Sequence, residues 1–463
     1  MFLPDLVVRG RRVVTPQGTR PAAVHIHNGR VIGVLDFDDV PSGCPLDEAG
    51  DAFVLPGLVD THVRTQASGW NAEQGFAATT RAAAAGGVTT IVDEPLDADP
   101  PTTSVSALEV RRSAAEGRSF VDVGFWAGVL PGNERELGPL AKAGVCGFKC
   151  SLIASAENAR APVAEADLRI VMPALTMVGA QLAVHCEAPT PIAAHADAQA
   201  APRWLERLGI KARASRQYAS YLASRPKEAE NEAIALVLRL CAEYRTFTHI
   251  LHLSSSDALT PIYKSRAARL PITAETCPHY LFFVAEEVPD GATAFTTAPP
   301  IRERANREFL WAAVTNGLVQ MVVSDHVPSS DTATRIRARD FATARSGIAS
   351  LQLGLSATWT EACKRGCRME QVVDWMSRAP AALARFTRKG AINVGFDADL
   401  VLFDADAEFL VDSETLFPGH STTPYDGRRL RGVVERTYLR GNLVYSRATG
   451  HSDPRGRLLT RHD

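Results

Sequence analysis

Eight short apolar runs separated by helix-length stretches predict a (β/α)₈ barrel for the middle of this chain. Strand-like segments at both ends predict a small sheet domain assembled from the two termini. The alternation runs from about Phe53 to Arg385. Its strand-like runs are FVLPGLVD, VTTIVDEP, FVDVGFWAG, CGFKCSL, AQLAVHCE, FTHILHLS, LPITAETCP and QMVVSDH. Between them lie helix-like stretches such as AATTRAAAAGG, TSVSALEVRRSAAEG, DLRIVMPALTMVG, NEAIALVLRLCAEY and REFLWAAVTNG. Such alternation gives a parallel sheet with crossover helices, and eight strands are the number that closes a barrel.

The ends read differently. DLVVRGRRVV and AAVHIHNGRVIGVL are β-branched runs joined by Gly-containing turns, and ADLVLFDAD, VVERTYLRG and NLVYSRA repeat the pattern near the C-terminus. The expected division is residues 1–50 with 390–463 as the terminal domain and 51–389 as the barrel. The stretch from Pro189 to Pro226 exceeds a normal βα loop and carries Trp204, Tyr218 and Tyr221, which makes it a candidate cover for the active-site face.

Composition narrows the function. The chain has 463 residues, 46% hydrophobic and 22% charged, enough to bury a large core. Its 50 basic and 52 acidic side chains leave a formal charge of −2, with no electrostatic footprint for nucleic acid or an anionic membrane. No run of about 18 apolar residues suggests a membrane span. The eight cysteines are scattered without a C-x-x-C pair, and are read as reduced thiols of a cytoplasmic protein. The start, MFLPDLVVRGRR, lacks the pattern of a secretory leader.

The chemistry-bearing residues gather at strand ends. His62 follows LPGLVD, Lys149 ends CGFK, His185 ends QLAVH, His252 ends THILH, and Asp325 and His326 end QMVVSDH. Strand C-termini of a barrel converge on one face, where active sites are built. A lone histidine at a strand end is more often a hydrogen-bonded surface residue, and Lys149 alone is an ordinary strand-end charge. Five strand ends carrying such groups point instead to one shared site. Histidines, a carboxylate and a modified lysine there would hold a metal. His249, three residues before His252, is expected to face the other way and to be structural. Glu187 lies on the same side as His185, where a structural and a site role are equally open.

PGLVDTH, RAAAAGGVTT, GVCGFKC, VHCE, HLSS, ETCPHY, APPIR and VSDHVP occur in this order, followed by GFDADLVLFD and TPYDGR…LRGNLVY. The series resembles the cyclic amidohydrolases of the amidohydrolase superfamily (allantoinases, dihydropyrimidinases or hydantoinases, and dihydroorotases), and the allantoinase branch above all. The resemblance covers almost the whole chain. It implies a distorted (β/α)₈ TIM barrel plus a composite β-sandwich. It also implies two divalent metals, commonly zinc, bridged by a carboxylated lysine at the position of Lys149. His185 and His252 match ligands of one metal, and His62 and Asp325 match ligands of the other. Asp325 matches the residue that carries the proton from the attacking oxygen to the leaving nitrogen. Relatives are commonly dimers or tetramers, so a homodimer or homotetramer is expected.

The departures cluster at the site. The family has His-x-His after the first strand, where this chain has His62-Val63-Arg64. Arginine stays protonated and is no metal ligand. A unit charge about 4 Å from a dication is repelled by about 8 kcal/mol at an effective dielectric of about 20, more than most single ligands contribute. The Thr65–Gly69 stretch after it also departs from the family. Glu94 replaces a usual Met, Asp97 stands where many relatives have Asn, and Ala298 replaces a small polar residue. Arg64, Glu94, Asp97 and Ala298 are therefore read as substrate-facing positions. His279 of CPHY and His326 are read as residues that support ligands. A buried guanidinium needs a partner, so Arg64 is expected to pair with Glu94 first, or with Asp325 or the Lys149 carbamate.

These features imply a hydrolase of the C–N bond of a cyclic amide, ureide or imide, run toward ring opening or its reverse, ring closure. It would hold one Zn²⁺ per chain rather than two, with Lys149 carboxylated when metal is bound. Arg64 and Asp325 would act on the substrate. The alternatives are a non-catalytic paralogue with a structural or regulatory role, and an ordinary two-metal enzyme that recruits another ligand.

Overall fold

The parallel strands are covered on both faces, and their sequences say why. LVDTHV, VTTIVD and DVGFWAG are buried at every position, the pattern of strands with side chains on one side and helices on the other. The computed structural model describes residues 3–65, 71–154, 160–199, 216–328, 340–341, 344–417 and 422–463. Residues 66–69 and Trp204, both named above, lie outside the described residues.

The N-terminal part forms β1 (Leu6–Thr15), β2 (Gly18–His27), β3 (Arg30–Leu35), β4 (Leu46–Glu48) and β5 (Phe53–Pro56). The barrel strands follow: β6 (Leu58–Val63), β7 (Val88–Asp93), β8 (Asp122–Gly128), β9 (Gly147–Ser151), β10 (Leu182–His185), β11 (Thr248–Ile250), β12 (Ile272–Thr276) and β13 (Met321–Val322). They pair in sequence order from β6 to β13. The ends of this sheet meet through a parallel bridge between Val63 and His326, with the amide of Arg64 donating to the His326 carbonyl at 2.9 Å. All eight strand-like runs read from the sequence are strands of this sheet.

The run FVLPGLVD is divided, however. Phe53–Pro56 joins the terminal sheet and Leu58–Val63 opens the barrel. Gly57 is the break. A Cβ there would come within 2.1 Å of the Thr89 side chain, so only glycine lets the chain turn from one sheet into the other against β7. Gly147 has a similar role in β9, where a Cβ would meet the Trp126 ring at 2.5 Å. Trp126 instead crosses the barrel and donates its indole N–H to the Thr61 carbonyl at 2.8 Å.

The C-terminal strands are β14 (Leu400–Leu410), β15 (Arg429–Leu439), β16 (Asn442–Ser446) and β17 (Gly450–His451). Both ends of the chain share one nine-stranded sheet in the order β17-β16-β15-β14-β5-β1-β2-β3, with β4 beside β1. Polar ties fix this sheet to the barrel. Lys389, nearly fully buried, places Nζ 2.7 Å from Asp122 of β8, 2.7 Å from Asp399 and 3.0 Å from Asp397. Arg440, just past β15, donates to Asp122 at 2.6 Å. All eight cysteines are free thiols, and among the described residues no helix is long and apolar enough to cross a membrane.

Removing one partner of a buried ion cluster costs far more than a surface pair, because the remaining charges keep their desolvation penalty. Lys389→Ala should therefore lower stability by about 3–5 kcal/mol. Urea unfolding checks this, and a loss under about 1 kcal/mol would show that the cluster does not hold the two sheets together.

Candidate active site

The ends of β6, β7, β9, β10, β11 and β13 deliver polar groups to the mouth, and buried carboxylates behind them set how the groups point. His62 lies in β6 and is buried. Its Nδ1 donates to Glu275 Oε1 of β12 at 2.6 Å, so its Nε2 faces the mouth. The same Glu275 accepts from His249 Nε2 at 2.9 Å and from the His252 amide at 3.3 Å. Burial opposes the charge on Glu275, but His62 and His249 outweigh it and hold the carboxyl well below the usual carboxylate range.

His185 ends β10 and is ordered by Glu187. Its Nε2 donates to Glu187 at 3.0 Å, and Arg225 donates to the same oxygen at 2.6 Å. That leaves His185 Nδ1 turned toward His252 Nε2, 2.8 Å away. His252 lies past the end of β11 with φ of 34°, in the left-handed region. Burial, with His185, His62 and Lys149 nearby, depresses its pKa well below the ordinary value and keeps it neutral. Its Nδ1 is buried and lacks a hydrogen-bond partner among the described residues. Two imidazoles turned on one point are a donor pair suited to a borderline divalent ion.

The first half of the site is filled differently. Lys149 Nζ is 2.9 Å from His62 Nε2 and 2.5 Å from Glu94 Oε2. Asp325 Oδ1 approaches the same His62 nitrogen at 3.3 Å, from a residue with φ of 45°. Left-handed backbone is uncommon outside glycine and is found where a site dictates it. Burial pushes the Glu94 carboxyl up, yet Lys149 and Arg64 more than offset this and keep it ionised.

The pairing expected between Arg64 and Glu94 is corrected by this geometry. Arg64, half-buried, sets Nη2 3.0 Å from Asp97 Oδ2, and Glu94 makes its ion pair with Lys149. Glu94 follows directly on β7, its amide bonded to the Val63 carbonyl at 2.9 Å, which puts its carboxylate deep among the strand ends. Asp97 lies three residues further along the rim. Ala298 is half-buried between Thr297 and Pro299, on a loop that takes a hydrogen bond from Tyr221 to the Thr297 carbonyl at 2.7 Å. His279 is fully buried, and burial depresses its pKa to about 4. His326 Nδ1 accepts from the Ser350 amide at 3.3 Å.

Several supporting groups escaped the sequence reading. Glu275 was passed over within ETCPHY, although a carboxylate inside an apolar strand was a visible signal. Glu230, on the apolar face of the helix Lys227–Tyr244, accepts from the Ser254 and Ser255 amides at 2.7 and 2.9 Å and fixes the turn after His252. Asp60 joins β6 to the loop after β13 by accepting from the His62 and Ser324 amides at 3.1 and 3.0 Å, and burial pushes its carboxyl up to about 6. His249 fails the alternation argument because His252 lies beyond the strand. Both residues meet at Glu275.

Comparison with known proteins gives the family of the chain. The sequence model of the amidohydrolase family matches residues 53–444. The chain is 45% identical to the allantoinase of Streptomyces avermitilis, over 99% of both chains. It is 39% identical to that of Saccharomyces cerevisiae, again over 99% of each. Among solved structures it resembles the L-hydantoinase (dihydropyrimidinase) of Arthrobacter aurescens, with a TM-score of 0.87 and 29% identity over 99% of this chain and 100% of the other.

Glu187 supplies a pH signature. Burial raises its pKa, but Arg225 and His185 overcome this and hold it at about 2, against an ordinary 4.5. A carboxyl depressed in the folded state stabilises it above the unfolded pKa, and that stability is lost as pH falls from 4.5 toward about 2. Glu187→Gln should be less stable at neutral pH and lose less stability through that window. Melting temperature against pH checks it; parallel acid limbs in the two proteins would contradict it.

Proposed function

Because the chain belongs to the amidohydrolase family, in the cyclic-amide group that includes the allantoinases, we propose that it is a cyclic-ureide hydrolase working with one divalent ion. Allantoin is the first substrate to test, since it is the substrate named by the relatives. The observation that carries this reading is the convergence of Asp325 on His62 at 3.3 Å, beside the His185–His252 pair at 2.8 Å.

His185 and His252 would hold the ion, and Lys149 would join them once carboxylated. Zinc suits two imidazoles and an oxygen donor. A divalent ion there would polarise the ring carbonyl and lower the pKa of water. Asp325 accepts the proton of the attacking water and returns it to the ring nitrogen as the C–N bond breaks; the same groups serve ring closure in reverse. Arg64 and Asp97 stand at the rim as donor and acceptor for the urea or carboxylate of the substrate.

The support for one ion rather than two is electrostatic. Arg64 brings a fixed positive charge to the first-metal side, and Lys149 is already matched there by Glu94. Carboxylating Lys149 turns a cation into an anion beside Glu94, and Arg64 together with one dication supplies the compensating charge. Replacing Arg64 by histidine removes the fixed charge and adds a donor.

Purified protein given allantoin, hydantoin and a dihydropyrimidine should open the five-membered ureide ring. Asp325→Asn should lower kcat by about 10²–10⁴ while the ion stays bound. Failure to open any of these rings with metal present would favour a non-catalytic paralogue. Separately, Arg64→His should raise the metal content per chain toward two, as read by elemental analysis. An unchanged content would show that the guanidinium is not what excludes the second ion.

A further inference from the structure

On the far side of Asp325 a second set of donors turns toward one point. A sulfur, an imidazole nitrogen and a carboxylate oxygen, from Cys277, His279 and Asp325, all lie within 4.8 Å of one another. The backbone explains the meeting. β12 ends at Thr276, Cys277 continues extended at φ −122° and ψ 153°, and Pro278 starts a short helix with His279 in its first turn. This turn brings residues two apart in sequence to one side. Asp325 reaches them from the neighbouring β13 through its left-handed backbone.

All three side chains are buried, Cys277 and His279 fully. Neither ring nitrogen of His279 has a hydrogen-bond partner among the described residues. A buried polar group without a partner costs about 1–3 kcal/mol, and this ring carries two such atoms. An aromatic or aliphatic side chain would fill the same space without that cost. The thiol beside it adds a preference that the His185–His252 pair lacks, because sulfur selects soft ions.

We propose that Cys277, His279 and Asp325 form a binding site for one thiophilic divalent ion, cadmium or excess zinc, separate from the His185–His252 pair and inhibitory when filled. Three protein donors of mixed type leave a fourth position for water, as in open tetrahedral sites. Binding forms the metal–sulfur bond and sends the Cys277 proton to solvent. Entry is from the mouth, where Asp325 keeps 10% of its side chain exposed. Inhibition follows because the ion takes the carboxylate needed for proton transfer. That part rests on the role given to Asp325 above, whereas the binding does not.

The test uses the full-length protein with its resident ion and cadmium chloride as the probe. Equilibrium dialysis should find one added cadmium per chain, accompanied by an ultraviolet thiolate-to-cadmium charge-transfer band and by loss of ring-opening activity. Cys277→Ser should abolish the band. His279→Asn should weaken cadmium binding roughly tenfold or more, since even groups behind the ligands are worth that much. Cadmium bound without the band, a band that survives Cys277→Ser, or no cadmium bound would each overturn the site. If circular dichroism shows that Cys277→Ser does not fold, His279→Asn decides, and unchanged affinity overturns the proposal. Binding with the band but with activity retained would leave the ion site standing and remove the inhibitory role together with the part assigned to Asp325.

Discussion

An arginine and a lysine share the mouth of this barrel, Arg64 half-buried and Lys149 buried, and both need anionic partners. A charge taken out of water without a partner costs several kcal/mol, so the arrangement depends on where anions can be placed. Glu94 is set deep, against Lys149, and Asp97 higher, against Arg64. Each cation thus has its own carboxylate, and the two pairs sit on the same side of the mouth. On the His185–His252 side the nearby ion pair, Arg225 with Glu187, lies behind His185 Nε2, and the facing nitrogens of the two rings are left suited to an ion.

The layer behind the donors is as important as the donors. Glu275 binds His62 and His249 and the backbone of His252, so one carboxylate spans both halves of the site. Glu187 does for His185 what Glu275 does for His62, and brings Arg225 with it. These bonds fix which ring nitrogen faces the mouth, and such outer partners shape a metal site nearly as strongly as the ligands themselves. Asp60 and Glu230 act one step further out, holding the loops that present Asp325 and His252. The strained backbone of those two residues persists because the surrounding bonds over-determine it.

Much of this was legible in the sequence, for identifiable reasons. Strand runs bounded by Gly and Pro gave all eight barrel strands, since parallel strands need continuous apolar runs that few other elements share. Strand-end positions gathered His62, Lys149, His185, His252 and Asp325, because a barrel leaves its C-terminal strand ends on one face. The parting of FVLP from LVD at Gly57 was hidden, because it depends on the Thr89 side chain from a distant strand. The partner of Arg64 was misassigned because adjacency of strands does not fix depth: Glu94 and Asp97 are three residues apart, but one lies among the strand ends and the other at the rim. The facing of His249, though not its structural role, was misjudged because alternation holds only inside a strand, and β11 stops at Ile250. Glu275 and Glu230 went unnoticed because a buried carboxylate makes sense only once the donors it receives are placed in space.

The central claim is that the charge of Arg64 leaves room for a single ion. It is tested most directly by elemental analysis of the unmodified protein, purified without chelators and with zinc supplied during expression. The account predicts one tightly bound metal per chain. Two per chain, with the second ion kept in the Cys277→Ser variant, would contradict it, and would mean that the guanidinium at Asp97 stands far enough from the first-metal position for His62 and Asp325 to hold an ion there.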